Sequence, residues 1–241
     1  MAEIDRDEAA VLASLISPGR VVNARRDIVR EGARAGTPIL IVSGWACQYR
    51  TLEDGRRQIL SFLIPGDVCG LQDFILPQMD HTIGALKTVR YASLPSDLVD
   101  RLNRPHPRLK QAMWRQMLTA ISVQREWAVS LGQRNSMERV GHLICEMYLR
   151  LRTMGQVSGL SYDFPLTQND IAEATGLTQV HVNRTLRQLR VDGLIELADR
   201  VMTIPNLKAL MRASLFSAAY LHLGEDRSVH DVRSEPARIV L

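Results

Sequence analysis

The spacing of apolar and polar positions changes along the chain and predicts two kinds of domain. Residues 21–98 contain short β-prone apolar runs separated by glycine turns, which recur about every 11 residues, as in an antiparallel barrel or sandwich. From about residue 105 the apolar positions follow a helical period, and only residues 194–204 return to strand-like runs. A short amphipathic helix is also predicted over residues 5–16. We therefore expect an α+β chain with an N-terminal β-barrel and a mainly helical C-terminal half.

The first part of the helical region predicts an interface between two copies of the chain. Beyond Pro107, apolar positions alternate at steps of four and three residues, which is the repeat of a coiled-coil seam. The alternative is a helix that packs only on its own barrel. The predicted seam consists of Leu109, Met113, Met117, Ala120, Gln124, Trp127 and Leu131.

Residues 166–186 have the pattern of a helix-turn-helix. Ala172 is small enough to lie where two helices cross, and Gly176 can adopt the positive φ that the turn needs. Thr167 and Thr178 each precede a predicted helix and can cap it. A helical hairpin in an ordinary core is the alternative, but it does not explain the polar surface of the second helix. That surface carries Gln179, Val180, His181, Asn183, Arg184 and Arg187, and amide and guanidinium groups suit the major groove of DNA.

A small hairpin follows the second helix and completes the pattern of a winged helix. Asp192 and Gly193 are a turn signal, residues 194–197 and 201–204 are strand-like, and residues 198–200 turn between them. Arg200 would lie at the tip of this hairpin, where its guanidinium can contact a phosphate.

A predicted capping box at Asn135 and Glu138 starts a new helix and so interrupts the helical region. Residues 132–135 therefore predict a polar, flexible hinge. We divide the chain into an N-terminal helix and barrel (1–104), a dimerisation helix and hinge (105–134), a winged helix-turn-helix domain (135–223) and a flexible tail (224–241).

Composition excludes several classes of protein. A net charge of +4 and a pI near 9.2 suit a polyanionic partner. No apolar run approaches the ~20 residues that span a bilayer, and the charged N-terminus lacks a signal-peptide core, so we expect a cytoplasmic protein without a membrane partner. No catalytic array, phosphate loop or metal-site spacing is present, so we expect neither an enzyme nor a metal centre.

The three cysteines are expected to be buried thiols, with a redox role for Cys69 as the alternative; they are Cys47, Cys69 and Cys145.

The order of barrel, long helix, hinge and winged helix resembles the cyclic-AMP receptor protein and FNR family of bacterial transcription regulators over residues 21–204. Besides the helix-turn-helix segment, Gly44, residues 54–63 and residues 65–70 carry the resemblance. It implies a cyclic-nucleotide-binding-like barrel, a homodimer, double-stranded DNA as the ligand and RNA polymerase as a further partner.

The barrel departs from the family pattern where cyclic-nucleotide-binding members hold their ligand. Leu71 stands in place of a glutamate that binds the ribose, and His81 in place of an arginine that binds the phosphate. Because His81 is not a full-time cation, we expect no tight binding of cyclic AMP or cyclic GMP. No cofactor is expected, and haem ligation by Cys69 and His81 is a less favoured alternative. Either the barrel is only a scaffold, or an unknown effector binds in an altered pocket lined by Leu71, Gln72, Asp73, His81 and Thr82.

The resemblance also assigns roles on the second helix. Family members contact base edges with its first, second and sixth residues, here Gln179, Val180 and Arg184, and some members also with the position of Asn183. We expect Arg184 to contact guanine and Gln179 adenine. Val180 replaces a glutamate and can pack on a thymine methyl, so the half-site should differ from that of glutamate-bearing members. Phosphate contacts are expected from Thr167, Thr178, His181, Arg187 and Arg200.

A two-fold dimer with two such helices predicts an inverted-repeat operator. The alternative function is a small-molecule, haem or redox sensor that acts mainly through a protein partner.

Overall fold

A computed structural model describes residues 19–34, 36–71, 76–95 and 107–223 of the chain. The chain divides into two units, one that runs to Ala120 and one that begins at Ile121. The predicted helix over residues 5–16, the pocket residues Gln72 and Asp73 and the tail from residue 224 lie outside the described residues. The fold class is α+β with antiparallel sheets, as the sequence predicts.

The first unit is built from antiparallel strands. Its described strands are β1 (Arg20–Val22), β2 (Asp27–Val29), β3 (Ile39–Ser43), β4 (Ala46–Thr51), β5 (Arg57–Leu63), β6 (Val68–Cys69), β7 (Thr82–Ala85) and β8 (Val89–Ser93). They form two four-stranded sheets with the orders β1–β8–β3–β6 and β2–β7–β4–β5. Because neighbouring strands in both sheets are antiparallel, the unit matches the barrel or sandwich that the turn spacing predicts.

Apolar side chains from both sheets form the core of this unit. Ile39 and Ile41 of β3 pack in one buried cluster with Leu63 of β5 and Ile83 of β7. Gly44 lies in the turn between β3 and β4 with φ +85°, and a Cβ built there would lie 2.1 Å from the carbonyl oxygen of Thr88. Only glycine combines that conformation with that close approach, which explains why the turn contains it.

A helix of 27 residues, α1 (Pro107–Gln133), begins in the first unit and continues into the second. Two members of the predicted seam are buried within the chain, since Leu109 is 2% and Trp127 7% exposed. The Trp127 indole N–H also donates to the carboxylate of Glu146 at 3.0 Å. The predicted dimer seam therefore needs correction at these two positions, because helical spacing cannot tell a core-facing side from a partner-facing one. Of the remaining seam residues, Met113, Met117 and Leu131 are half-buried and Ala120 and Gln124 are exposed.

The apolar side chains that α1 leaves exposed are on a different side of the helix. Trp114 is 52%, Leu118 57% and Ile121 41% exposed, and the steps between them are again four and three residues. Val129, which is 49% exposed, lies further along the same helix.

The second unit is a winged helix-turn-helix. Its helices are α2 (Ser136–Thr153), α3 (Gln168–Thr175), α4 (Gln179–Val191) and α5 (Leu207–Ala213), followed by a 3₁₀ helix at Ala218–Leu221. Its strands are β9 (Ser161–Asp163), β10 (Glu196–Ala198) and β11 (Val201–Thr203), in the order β10–β11–β9. The sequence predicts the hairpin of β10 and β11, but β9 was not predicted because three residues are too few to show a period.

The capping box predicted at the start of α2 is confirmed. Asn135 Oδ1 accepts hydrogen bonds from the N–H groups of Met137 and Glu138 at 3.0 Å each, and the Glu138 carboxylate accepts from the Asn135 N–H at 2.8 Å. The hinge beside it is polar, as predicted, but its side chains are held in place. The Arg134 side chain is only 10% exposed, and it donates to Glu126 at 2.6 Å.

Candidate nucleic-acid interface

Thr167 caps α3, as its position in the sequence predicts. Its Oγ1 accepts from the N–H of Asp170 at 3.2 Å, and Asp170 in turn accepts from the Thr167 N–H at 2.8 Å. The Thr167 hydroxyl also donates to the Asp170 carboxylate at 2.7 Å. Because the Asp170 side chain is fully buried, this capping box attaches the first residue of the helix-turn-helix to the core of the unit.

The turn between α3 and α4 has the geometry that the sequence predicts. Gly176 is left-handed, with φ +65°, and its N–H donates to the carbonyl of Ala172. Ala172 is 6% exposed, as a residue at a helix crossing needs to be. Thr178 then caps α4, because its Oγ1 accepts from the His181 N–H at 3.2 Å.

Helix α4 has one face that is buried against the unit and one face that is exposed. Val182, Thr185, Leu186 and Leu189 are buried against the unit. Val180 is an apolar side chain that is 77% exposed on the other face. The helix contains three arginines and no acidic residue, so its outer surface is cationic. The structure places on that exposed surface all six predicted residues, Gln179, Val180, His181, Asn183, Arg184 and Arg187.

Two side chains of α3 hold amides of α4, and sequence reasoning missed both. The Gln179 side-chain N–H donates to Asn169 Oδ1 at 2.7 Å, and the Asn183 amide donates to Gln168 Oε1 at 3.3 Å. The signal was available, since the first residues of one helix lie beside the start of the next in a helix-turn-helix. Amides that are already oriented lose fewer conformations when they bind a base edge.

The wing is a two-residue hairpin with an arginine at its tip. Asp199 and Arg200 connect β10 to β11 with φ +48° and +63°, the positive pair of a type I′ turn. The Phe164 N–H donates to the Arg200 carbonyl at 2.7 Å, which ties the tip to the residue that follows β9. The Arg200 side chain is exposed, so it is free to approach a phosphate.

In the barrel, His81 takes part in a chain of internal hydrogen bonds. It is 7% exposed, with Nδ1 2.6 Å from Asp80 Oδ1 and Nε2 2.9 Å from the Gln48 amide nitrogen. The Gln48 amide oxygen accepts from the Ser61 hydroxyl at 2.7 Å. Both ring nitrogens of His81 are therefore engaged by neighbours.

The other described pocket residues are also held by the protein. Thr82 is 8% exposed, and its hydroxyl accepts from the Glu31 N–H at 3.0 Å, while Leu71 is half-buried. The three cysteines are buried and form no disulfide, and the Cys69 thiol donates weakly to the Ile39 carbonyl at 3.7 Å. Among the described residues, no group of His, Cys, Asp or Glu side chains could hold a metal ion. None of the described helices is long and apolar enough to cross a membrane.

Comparison with known proteins agrees with the architecture. A cyclic nucleotide-binding domain matches residues 20–104, and a Crp-like helix-turn-helix domain matches residues 138–213. The anaerobic regulatory protein of Pasteurella multocida is 26% identical over 221 residues, which cover 92% of this chain and 81% of that protein. The transcriptional activator protein FnrL of Cereibacter sphaeroides is 27% identical over 199 residues, which cover 81% and 79%.

Solved structures share the fold. FixK2 from Bradyrhizobium japonicum matches with a TM-score of 0.74 at 24% identity, over 83% of this chain and 98% of that one. The regulator CLP of Xanthomonas campestris, described as c-di-GMP responsive, matches with a TM-score of 0.64 at 17% identity, over 84% and 100%.

The fold and its exposed cationic helix define a DNA-binding transcription regulator of the winged helix-turn-helix class. With a cyclic nucleotide-binding domain ahead of that module, the chain belongs to the Crp/FNR family.

Proposed function

We propose that this protein is a homodimeric, sequence-specific transcription regulator that binds an inverted repeat with one α4 in each half-site. The observation that carries this proposal is the outer surface of α4, where amides, guanidinium groups and an exposed valine lie together without an acidic side chain. Such a surface offers the donors and the methyl contact that distinguish base pairs in the major groove.

Base recognition is assigned to four residues of α4. Arg184 donates two hydrogen bonds to a guanine, and Gln179 pairs with an adenine edge. Val180 packs on a thymine methyl, since its side chain is apolar and 77% exposed. Asn183 is the fourth residue, oriented by Gln168.

Phosphate contacts set the docking register and come from a second group. Arg187 and His181 are exposed on α4, and Arg200 projects from the wing. Thr167 and Thr178 stand at the N-termini of α3 and α4, where free backbone N–H groups favour a phosphate. Their hydroxyls already serve as caps, so their contribution is through the helix ends.

Dimerisation is assigned to the exposed apolar side of α1. Trp114, Leu118 and Ile121 are each more than two-fifths exposed and follow one another along one side of this 27-residue helix, and a contiguous apolar strip of this kind suits an interface with a second copy. We place a parallel coiled-coil contact with a second copy on this side, in place of the seam predicted from the sequence. The exposed positions that follow the alternating step of four and three are Trp114, Leu118, Ile121, Arg125 and Ala128.

The barrel does not bind cyclic AMP in the usual way. The position of the expected phosphate-binding arginine is His81, whose two nitrogens are bonded to Gln48 and Asp80. Breaking those bonds would add to the cost of placing a phosphate against a side chain that is not a permanent cation.

The proposed domains are residues 1–104, 105–134, 135–223 and 224–241. The proposed protein partner is RNA polymerase.

The substitution Arg184→Ala tests the docking. With an operator selected from a random library, we expect Arg184→Ala to lose about 1–3 kcal/mol of binding free energy per half-site, the value of a bidentate pair. Arg212→Ala is the matched control, because it removes the same charge from the exposed surface of α5, outside the helix-turn-helix and the wing. Equal affinity of Arg184→Ala and wild type, with both proteins dimeric, would contradict the proposal.

A further inference from the structure

One buried carboxylate joins three elements of the second unit. Glu146 of α2 is fully buried, and its Oε2 accepts from the Trp127 indole of α1 at 3.0 Å and from the Tyr220 hydroxyl of the 3₁₀ helix at 2.9 Å. Its Oε1 lies 3.4 Å from Arg150 of the same helix. A buried carboxylate that loses one of its donors is costly, so these bonds resist separation of the three elements.

The segment over residues 214–222, here called the C-terminal strap, makes further contacts with the same region. The ring of His142 on α2 contacts the rings of Phe216 and Tyr220, with ring centroids 4.8 and 5.6 Å away. The carbonyl of Leu215 accepts from Arg134, which follows α1, at 3.3 Å. The strap therefore contacts both the break that follows α1 and the helix that begins after it.

The break between α1 and α2 is tied to the helix-turn-helix as well. Arg139 of α2 donates to the Arg134 carbonyl at 2.8 Å and to the Thr175 carbonyl, at the end of α3, at 3.1 Å. Helix α2 also packs against α4. The direction of α4 relative to the last turns of α1 is therefore set by the bonds around Glu146 and Arg139.

We infer that Trp127, Glu146 and Tyr220 are positioning residues for operator spacing: they fix the angle between the dimer helix and the recognition helix, and so the distance between the two half-sites that one dimer accepts. The inference rests on the proposed function, because it requires a dimer formed through α1 and a recognition helix that contacts DNA. None of the three residues needs to contact DNA for this role.

The substitution Tyr220→Phe tests the inference with the smallest change. It removes the hydroxyl that donates to Glu146 and keeps the ring that stacks on His142. The matched control is Tyr148→Phe, which removes a hydroxyl from the same helix as Glu146, bonded to the Gly159 carbonyl at 3.3 Å. Binding is measured by fluorescence anisotropy on operators whose half-sites are moved together or apart by one base pair, and on a single half-site.

For wild type and Tyr148→Phe we expect one preferred spacing. For Tyr220→Phe we expect the ratio of affinities between the preferred and the neighbouring spacing to fall by about fivefold or more, the usual lower range of coupling between sites, while single half-site affinity is unchanged. Trp127→Phe removes the other donor to the same oxygen and must show the same loss, so the test stands even if one variant fails to fold.

The outcomes distinguish a failure of the inference from a failure of the proposed function. Wild-type spacing discrimination retained in whichever of the two variants folds overturns the inference and leaves the proposed function intact. Wild-type protein that binds inverted repeats without any preferred spacing overturns the inference alone. Wild-type protein that binds only single half-sites overturns the proposed function and the inference with it.

Discussion

The most direct energetic consequence of the structure concerns the imidazole of His142. The side chain is 2% exposed, and burial, together with the nearby Arg134 guanidinium, lowers its pKa from 6.5 to about 3. Glu126 lies 3.4 Å from Nε2 and would favour the charged form, but Arg134 is bonded to the same oxygen at 2.6 Å. His142 is therefore neutral in the folded protein throughout the physiological range.

Acidification should then destabilise the second unit. Below about pH 6.5 the unfolded chain binds a proton on His142, whereas the folded chain does not until the pH approaches 3. Stability from this group is present above pH 6.5 and is lost as the pH falls. At about 1.4 kcal/mol per pH unit, acidification from pH 7.5 to pH 5.0 costs about 2 kcal/mol, because only the 1.5 units below 6.5 count.

The assay is urea unfolding at pH 7.5 and 5.0 of wild type and His142→Phe, which keeps an aromatic ring against Phe216 and Tyr220. Burial raises the pKa of Glu146, which works in the opposite direction, so the comparison is between proteins rather than between pH values alone. We expect the stability difference between wild type and His142→Phe to change by about 2 kcal/mol over this range. A pH-independent difference, or the same change in the control His181→Gln at an exposed histidine, would refute the reasoning.

Two further predictions concern the dimer and the half-site. Leu118→Asp, at a position 57% exposed in the single chain, is expected to give folded monomers in sedimentation experiments. Trp127→Asp is instead expected to destabilise the second unit, because it places an acid beside buried Glu146. A stable Leu118→Asp dimer would reject the assigned interface. Val180→Glu is expected to shift the base selected at one step of each half-site from thymine toward cytosine, since glutamate accepts a hydrogen bond from the cytosine amino group. If the selected sequence is unchanged, Val180 does not contact a base.

Local chemistry made the helix-turn-helix predictable. A threonine cap needs only a hydroxyl before a free N–H, and Thr167 and Thr178 both supply one. Gly176 and the turn at Asp199 and Arg200 depend on backbone conformations that a few residues decide. The exposed face of α4 followed because its buried positions recur with the helical period.

Features that depend on packing between distant segments were not predictable. The period of α1 is visible in the sequence, but the side that faces the core is not. The sequence therefore places Leu109 and Trp127 against a partner, although the chain itself covers them. The contact between Glu146 and Tyr220 joins residues 74 positions apart, and no local pattern signals it. The sequence does not show that the hinge side chain of Arg134 is held in place, for the same reason. Its partners are Glu126 and the distant Leu215.

The measurement that tests the central claim most directly is selection of genomic DNA fragments by the purified protein with no ligand added. The account predicts enrichment of an inverted repeat whose half-site contains a guanine for Arg184 and a thymine for Val180. Enrichment only of unpaired half-sites by a protein that is dimeric would contradict it.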